Sequence, residues 1–210
     1  MSRPASLPVL LVLGLAGCVF HGRAPLPGPR AGEWAEVRTA ATRRVALYDG
    51  LVHRATATAT HLGLPEREAR ARRLATWLGW TEEELEKRLA QEREEAARGE
   101  TFLIAFYAAD KAANDLDARH SVWRMALLKD GGEVLVRHVQ VLDPDATITQ
   151  LFPYVGKFDT VYQIDFPPVP GGPISGQPFI LRFASALGRI DLDFGRPSGP
   201  DRPVEEVPEL

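Results

Sequence analysis

The feature that most limits how this chain can fold is its cysteine content, since Cys18 is the only cysteine in 210 residues. A disulfide within the chain and a metal site built from several cysteines are therefore both excluded. The composition, 45% hydrophobic and 25% charged, is that of an ordinary globular protein. The fold must consequently be held together by a packed hydrophobic core, and the length suffices for one or two domains.

The first 18 residues form a recognisable pattern. Arg3 gives a basic start, and an apolar run from Leu7 to Leu15 follows that is too short to span a membrane. Ala16 and Gly17 stand directly before Cys18 and resemble the lipobox of bacterial lipoprotein precursors. The resemblance covers residues 1–18 only. It implies that residues 1–17 are a signal peptide and that Cys18 is acylated through its sulfur, becoming the new N-terminus after cleavage.

This resemblance predicts a protein anchored by lipid in a bacterial cell envelope, because several acyl chains make attachment effectively permanent. In enteric-type bacteria an aspartate directly after the lipidated cysteine resembles a signal for retention in the inner membrane. This chain has Val19 at that position, so the pattern favours the outer membrane, facing the periplasm. Plain secretion is the alternative, and it is disfavoured because Pro25 follows Ala24, the nearest candidate cleavage site. Prolines and glycines predict a flexible tether over residues 18–32, and residues 197–210 predict a disordered tail.

A helical period governs residues 33–99. Apolar residues three or four apart predict one helix of about thirty residues. Gly63 ends it, Pro65 opens a second helix that ends at Gly79, and the capping-box pattern at Thr81 and Glu84 opens a third. The apolar stripe of the first helix comprises Trp34, Val37, Ala41, Val45, Tyr48, Val52, Ala55, Ala59 and Leu62.

After residue 99 the period falls to two, which predicts strands. A phase slip after Val136 indicates a β-bulge near Arg137 and His138, and Asp130-Gly131 predicts a tight hairpin turn. The predicted fold is α+β, with an N-terminal three-helix module (33–99) followed by a small antiparallel β-sandwich of about six strands (100–196). The predicted strands are Phe102–Ala108, Ser121–Lys129, Glu133–Leu142, Thr160–Phe166, Pro178–Ala184 and Arg189–Phe194.

One loop groups the kind of oxygen ligands that calcium takes. Asp110, Asn114, Asp115 and Asp117 lie between the first two predicted strands. Their spacing does not match an EF-hand, and the alternative is a turn whose side chains bond to local backbone. His53 and His61 fall two helical turns apart in the predicted first helix, too far to share one metal ion. We therefore expect neither a metal nor a cofactor.

Charge is unevenly distributed in the predicted helices. Arginines concentrate in the second helix and glutamates in the third, so the simplest expectation is ion pairs between the two helices. A second hypothesis is that Arg67, Arg70 and Arg73 contact anionic headgroups or an acidic envelope partner. Aromatic residues between Phe152 and Tyr162 are expected either to fill the core or to stack on a ligand.

No nucleophile motif occurs, so no catalytic residue is predicted. A net charge of −3 argues against nucleic acid as a partner. We expect an envelope lipoprotein with a non-enzymatic binding or structural role towards another envelope component, such as a protein. The alternative is a hydrolase of envelope polymers with a carboxylate or histidine site in the sandwich loops. Asp191 and Asp193 lie on one face of the last predicted strand at a separation that a glycosidase could use, although alternating aspartates on an edge strand also serve solubility. His138 is the histidine that the predicted bulge would re-aim.

Overall fold

The computed structural model describes residues 33–196. The predicted signal peptide, Cys18, the tether and the tail lie outside these residues, and what the sequence indicates about them stays a prediction. In chain order the elements are α1 (Glu33–Ala40), β1 (Thr42–Asp49), β2 (Val52–His61), α2 (Leu64–Leu78), α3 (Glu82–Ala96), β3 (Glu100–Ala108), a 3-10 turn (Lys111–Ala113), β4 (Arg124–Lys129), β5 (Gly132–Leu135), β6 (His138–Leu142), α4 (Ala146–Leu151), β7 (Thr160–Phe166), β8 (Ile180–Ser185) and β9 (Gly188–Asp193).

The predicted N-terminal three-helix module is wrong. Only residues 33–40 of the expected first helix are helical, and β1 and β2 form an antiparallel hairpin over residues 42–61. Threonine and alanine alternate from Ala55 to Thr60, and both sides of this stretch are buried. Threonine is β-branched and therefore favours a strand over a helix at these alternate positions. Gly50, with φ of +56°, provides the turn.

The strands form two antiparallel sheets, so the fold contains more β-structure than a six-stranded sandwich. One sheet has the order β1-β2-β3-β7-β6 and the other β5-β4-β8-β9. At one side the outer strands β1 and β9 lie against each other, where Nε of Arg43 donates to the carbonyl of Asp193 at 2.9 Å. Side chains between the two sheets form the main core, which includes Phe102, Phe106 and Phe183.

The predicted strand Glu133–Leu142 is in fact two strands. β5 pairs with β4, whereas β6 pairs with β7 in the other sheet. The chain therefore crosses between sheets at Val136 and Arg137, and the predicted β-bulge is wrong. The phase slip in the sequence marks the point where the inward side changes, because the two strands face the core from opposite sheets.

Helices cover the outer face of the five-stranded sheet. Trp34 of α1, Ala69 of α2 and Leu151 of α4 pack against Leu103 and Val161 in a second core cluster. The boundaries predicted for α2 and α3 are confirmed: Gly79 ends α2 in the left-handed conformation, and a capping box opens α3. The tight turn at Asp130-Gly131 is confirmed as well, since both residues have positive φ.

Candidate functional site

A buried histidine and glutamate join the end of β2 to the start of β3. Nε2 of His61 lies 2.7 Å from Oε2 of Glu100, and the two side chains are 3% and 7% exposed. The other oxygen of Glu100 accepts the backbone N–H of Ile174 at 3.1 Å. The imidazole also contacts the rings of Phe102 and Phe179. The pair therefore ties the five-stranded sheet to the loop between β7 and β8.

A second carboxylate stands beside this pair, at the start of α2. A Cβ on Gly63 would lie 1.8 Å from Oγ of Ser175, 2.9 Å from Oε2 of Glu66 and 3.0 Å from Cε1 of His61. Glycine thus leaves the space in which these three groups meet. Within residues 33–196, Oε2 of Glu66 is buried without a hydrogen-bond partner. We call His61, Glu66, Glu100 and Ser175 the His61 cluster.

Burial raises the pKa of Glu66, and the nearby charge of Glu100 acts in the same direction, although the influence of His61 opposes it. A carboxyl group with a raised pKa next to an imidazole is an arrangement that proton transfer uses. His61 and Glu100 are almost wholly buried, however. The cluster as it stands is closed to a polymeric substrate and serves to hold the β7–β8 loop.

The arginines of α2 pair with the glutamates of α3, as the simplest expectation from the sequence predicts. Glu92, 1% exposed, lies at the centre of these ion pairs. We call the group formed by Glu92 with Arg67, Arg70 and Arg88 the Arg67–Glu92 network. Although burial acts to raise it, the surrounding arginines hold the pKa of Glu92 below its usual range. Its carboxylate accepts from Arg67 at 2.9 Å, Arg70 at 3.1 Å and Arg88 at 2.6 Å.

The structure therefore separates the three arginines considered for headgroup contact. Arg67 is buried and also donates to Glu95, to the Leu62 carbonyl and to Thr101. Arg70 is largely buried against Glu92. Arg73 differs, because its guanidinium stacks on the ring of Trp77 at 4.7 Å. Two of the three side chains are thus engaged inside the fold.

The side chains of the oxygen-bearing loop form hydrogen bonds within the loop and to β7. Asp110 accepts from the backbone of Ala112, and Asp115 accepts from Ser121 and Val122. Asn114 bonds to Thr160 at 2.9 Å and receives the hydroxyl of Tyr162, while Asp117 is exposed. No group of three or more His, Cys, Asp or Glu side chains within residues 33–196 is arranged to hold a metal.

The other residues considered from the sequence lie apart from one another. Asp191 makes a bidentate pair with Arg182, at 2.7 Å for both contacts, and His138 is exposed on β6. Among the aromatic residues, Phe152 and Tyr162 are buried in the core, whereas Phe158 is 79% exposed. Core filling is thus the role of the first two.

Two exposed apolar surfaces were not identified from the sequence. The first, the hairpin-tip patch, comprises Tyr48, Leu51, Val52 and Leu187, which are 50%, 102%, 54% and 40% exposed. The two turns that carry it are neighbours, because a Cβ on Gly188 would lie 2.9 Å from the side chain of Leu47. The Asp49-Gly50 pair was the available sequence signal for this hairpin.

The second surface, the α2–α3 apex, is the turn Trp77-Leu78-Gly79-Trp80. Trp77 is 37% and Leu78 61% exposed. Trp80 forms one wall of a shallow pocket of about 240 Å³ whose other lining residues, including Lys87 and Gln91, come from α3. Single exposed apolar side chains are normal, whereas large ones grouped at one turn make this apex a candidate contact surface.

Comparisons with known proteins give no relative. No protein-family model, curated protein or solved structure matches this chain. Across residues 33–196, no helix has the length and apolar character needed to cross a membrane.

Proposed function

We propose that this chain is a bacterial envelope lipoprotein, anchored through Cys18 to the outer membrane and facing the periplasm, whose folded body binds another envelope component. The observation that carries the proposal is the single cysteine, which follows an apolar run and the pair Ala16-Gly17. The hairpin-tip patch supports the binding role, because its Leu51 side chain is wholly exposed.

The anchor is tested by expressing the full chain in a bacterium that processes lipoproteins. We expect mass spectrometry of the N-terminal peptide to show cleavage before Cys18 and the added mass of acyl chains. The Cys18→Ser variant should leave the membrane fraction or stay unprocessed. An unmodified cysteine with the leader still attached would refute the proposed location and the role that depends on it.

The binding role is tested by cross-linking the anchored protein in intact envelopes and identifying the captured protein. We expect Leu51→Asp to abolish capture, because a charge in the middle of an apolar contact is left unpaired. Phe158→Asp is the matched control, since Phe158 is 79% exposed and lies outside the patch. Equal capture by both variants would exclude the hairpin-tip patch as the binding surface.

A hydrolase of envelope polymers is the second candidate function, and the His61 cluster is the observation that favours it. Glu66, with its raised pKa, would act as a general acid if the β7–β8 loop opened. Release of soluble fragments from purified cell-wall polymer, lost in Glu66→Gln, would support this candidate. If the wild-type protein released no fragments, the hydrolase candidate would be rejected and the non-enzymatic role would remain the proposal.

A further inference from the structure

We propose that the α2–α3 apex lies in the interface of the bilayer that holds Cys18 and acts as a second membrane contact. This inference rests on the anchor part of the proposed function. The apex projects from the fold, because the buried residues of α2 end at Ala75 and both Trp77 and Leu78 are exposed. Its shape is fixed, since Gly79 ends the helix at φ of +66° and the N–H of Trp80 bonds to the Ala75 carbonyl.

The residue types at the apex match those that settle at a membrane–water interface. Tryptophan prefers this zone because its large ring is apolar and its N–H is polar. Leu78 adds an aliphatic side chain that is 61% exposed. The guanidinium of Arg73 stacks on the Trp77 ring at 4.7 Å, which places a charged group beside an apolar ring, a combination that suits the boundary between headgroups and acyl chains.

The charges near the apex indicate how the contact works. Arg67 and Arg70 are paired with Glu92 inside the fold, so they add little attraction for anionic lipid. Glu82 and Glu83 follow the apex and are exposed, and they offset Lys87, which is exposed beside Trp80. Contact by apolar insertion into a zwitterionic interface is therefore favoured over electrostatic attraction to anionic headgroups, and it should be insensitive to salt.

The length of the tether favours the bilayer as the occupant. Residues 19–32 can extend over at most about 50 Å, so an acylated Cys18 keeps the body within reach of the membrane surface. Tethering at such short range gives even a weak contact a high effective concentration. The hairpin-tip patch contains no tryptophan, which makes it the less suitable of the two surfaces for a lipid interface.

The test uses the mature chain beginning at Cys18, coupled through this one thiol to maleimide-bearing lipid in phosphatidylcholine vesicles. Brominated acyl chains in these vesicles quench tryptophan that enters the interface. Trp34 and Trp123 are 5% and 3% exposed and should respond little, so the signal reports the apex. We expect quenching relative to unbrominated vesicles, unchanged by added salt, and its loss in the W77F/W80F variant.

A matched pair of leucine variants measures the strength of the contact. Leu78→Ser should lower the ratio of docked to undocked protein about tenfold, since it removes much of the inserted aliphatic surface. Leu51→Ser, which removes an equally apolar side chain from the hairpin-tip patch, should leave the ratio unchanged. Near-UV circular dichroism verifies that each variant is folded.

Equal fluorescence of the wild type in brominated and unbrominated vesicles would overturn the inference. If Trp77→Asp then also lost envelope-protein capture, the apex would be assigned to a protein partner. Because the coupling to vesicles is chemical, the fluorescence result is independent of whether Cys18 is acylated in cells, which mass spectrometry decides separately.

Discussion

Replacing Glu92 with glutamine tests whether the Arg67–Glu92 network holds α2 against α3. Glu92 is 1% exposed and receives hydrogen bonds from three arginines. Glutamine has nearly the same volume and keeps one acceptor oxygen, but it removes the charge that these guanidinium groups face. Arg67, 4% exposed, would then retain Glu95 as its only ionic partner among residues 33–196.

Breaking a buried ion pair by removing one partner costs about 3–5 kcal/mol, because the remaining charge is left uncompensated. We expect the lower end of this range for Glu92→Gln, because glutamine keeps one acceptor oxygen and Arg88 is partly exposed. We therefore expect Glu92→Gln to lower the free energy of unfolding by about 3 kcal/mol, a large part of the stability of an ordinary domain.

Urea unfolding followed by far-UV circular dichroism at pH 7 measures this loss. Glu95→Gln is the control, because Glu95 also pairs with Nη1 of Arg67, at 2.8 Å, but its side chain is 43% exposed. An exposed partner contributes little, so we expect the control to cost less than about 1 kcal/mol. Equal losses in the two variants would refute the reasoning that burial of Glu92 makes the network important.

Two further predictions concern the His61 cluster and the entry to β3. Burial raises the pKa of folded Glu66 above its usual 4.5, so its ionisation costs stability as pH rises through the folded value. Glu66→Gln should thus raise the urea midpoint at pH 7 and lose this advantage below pH 4.5; a constant difference across pH would contradict it. Gly99→Ala would place a Cβ 2.0 Å from the carbonyl oxygen of Phe166, whereas Gly172→Ala, also at positive φ, meets nothing within 4 Å. We expect Gly99→Ala to cost about 1–3 kcal/mol more than Gly172→Ala in the same unfolding assay, and similar costs would exclude the clash as the cause.

The β1–β2 hairpin shows why part of the fold could not be predicted from the sequence. Its apolar residues happen to fall three or four apart, which satisfies a helical period as well as a strand period. The Thr–Ala alternation was the competing signal, but small alanines give it little hydrophobic contrast. The meaning of the alternation is visible only in the folded chain, where Ala57 packs between the sheets and Thr58 faces the other side of its sheet. Both side chains are buried.

Of the two buried polar groups, the sequence predicted one and not the other. The ion pairs between α2 and α3 were predictable, because both helices carry clear start and stop signals and their charges are segregated along the sequence. The His61 cluster was not predictable from spacing. His61 and Glu100 are far apart in sequence, and they meet only because β2 pairs with β3 in the register that places His61 opposite Phe102.

The segregation of charge between α2 and α3 also determines which charged residues stay exposed near the apex. Once α2 uses Arg67 and Arg70 to neutralise Glu92, the exposed start of α3 retains its glutamates, Glu82 and Glu83 among them. These glutamates offset the attraction that Arg73 and Lys87 offer to an anionic partner at this end of the molecule, so most of the attraction is expected from the tryptophans and leucine of the apex. The internal pairing of the arginines is thus the physical reason to expect an apolar contact here.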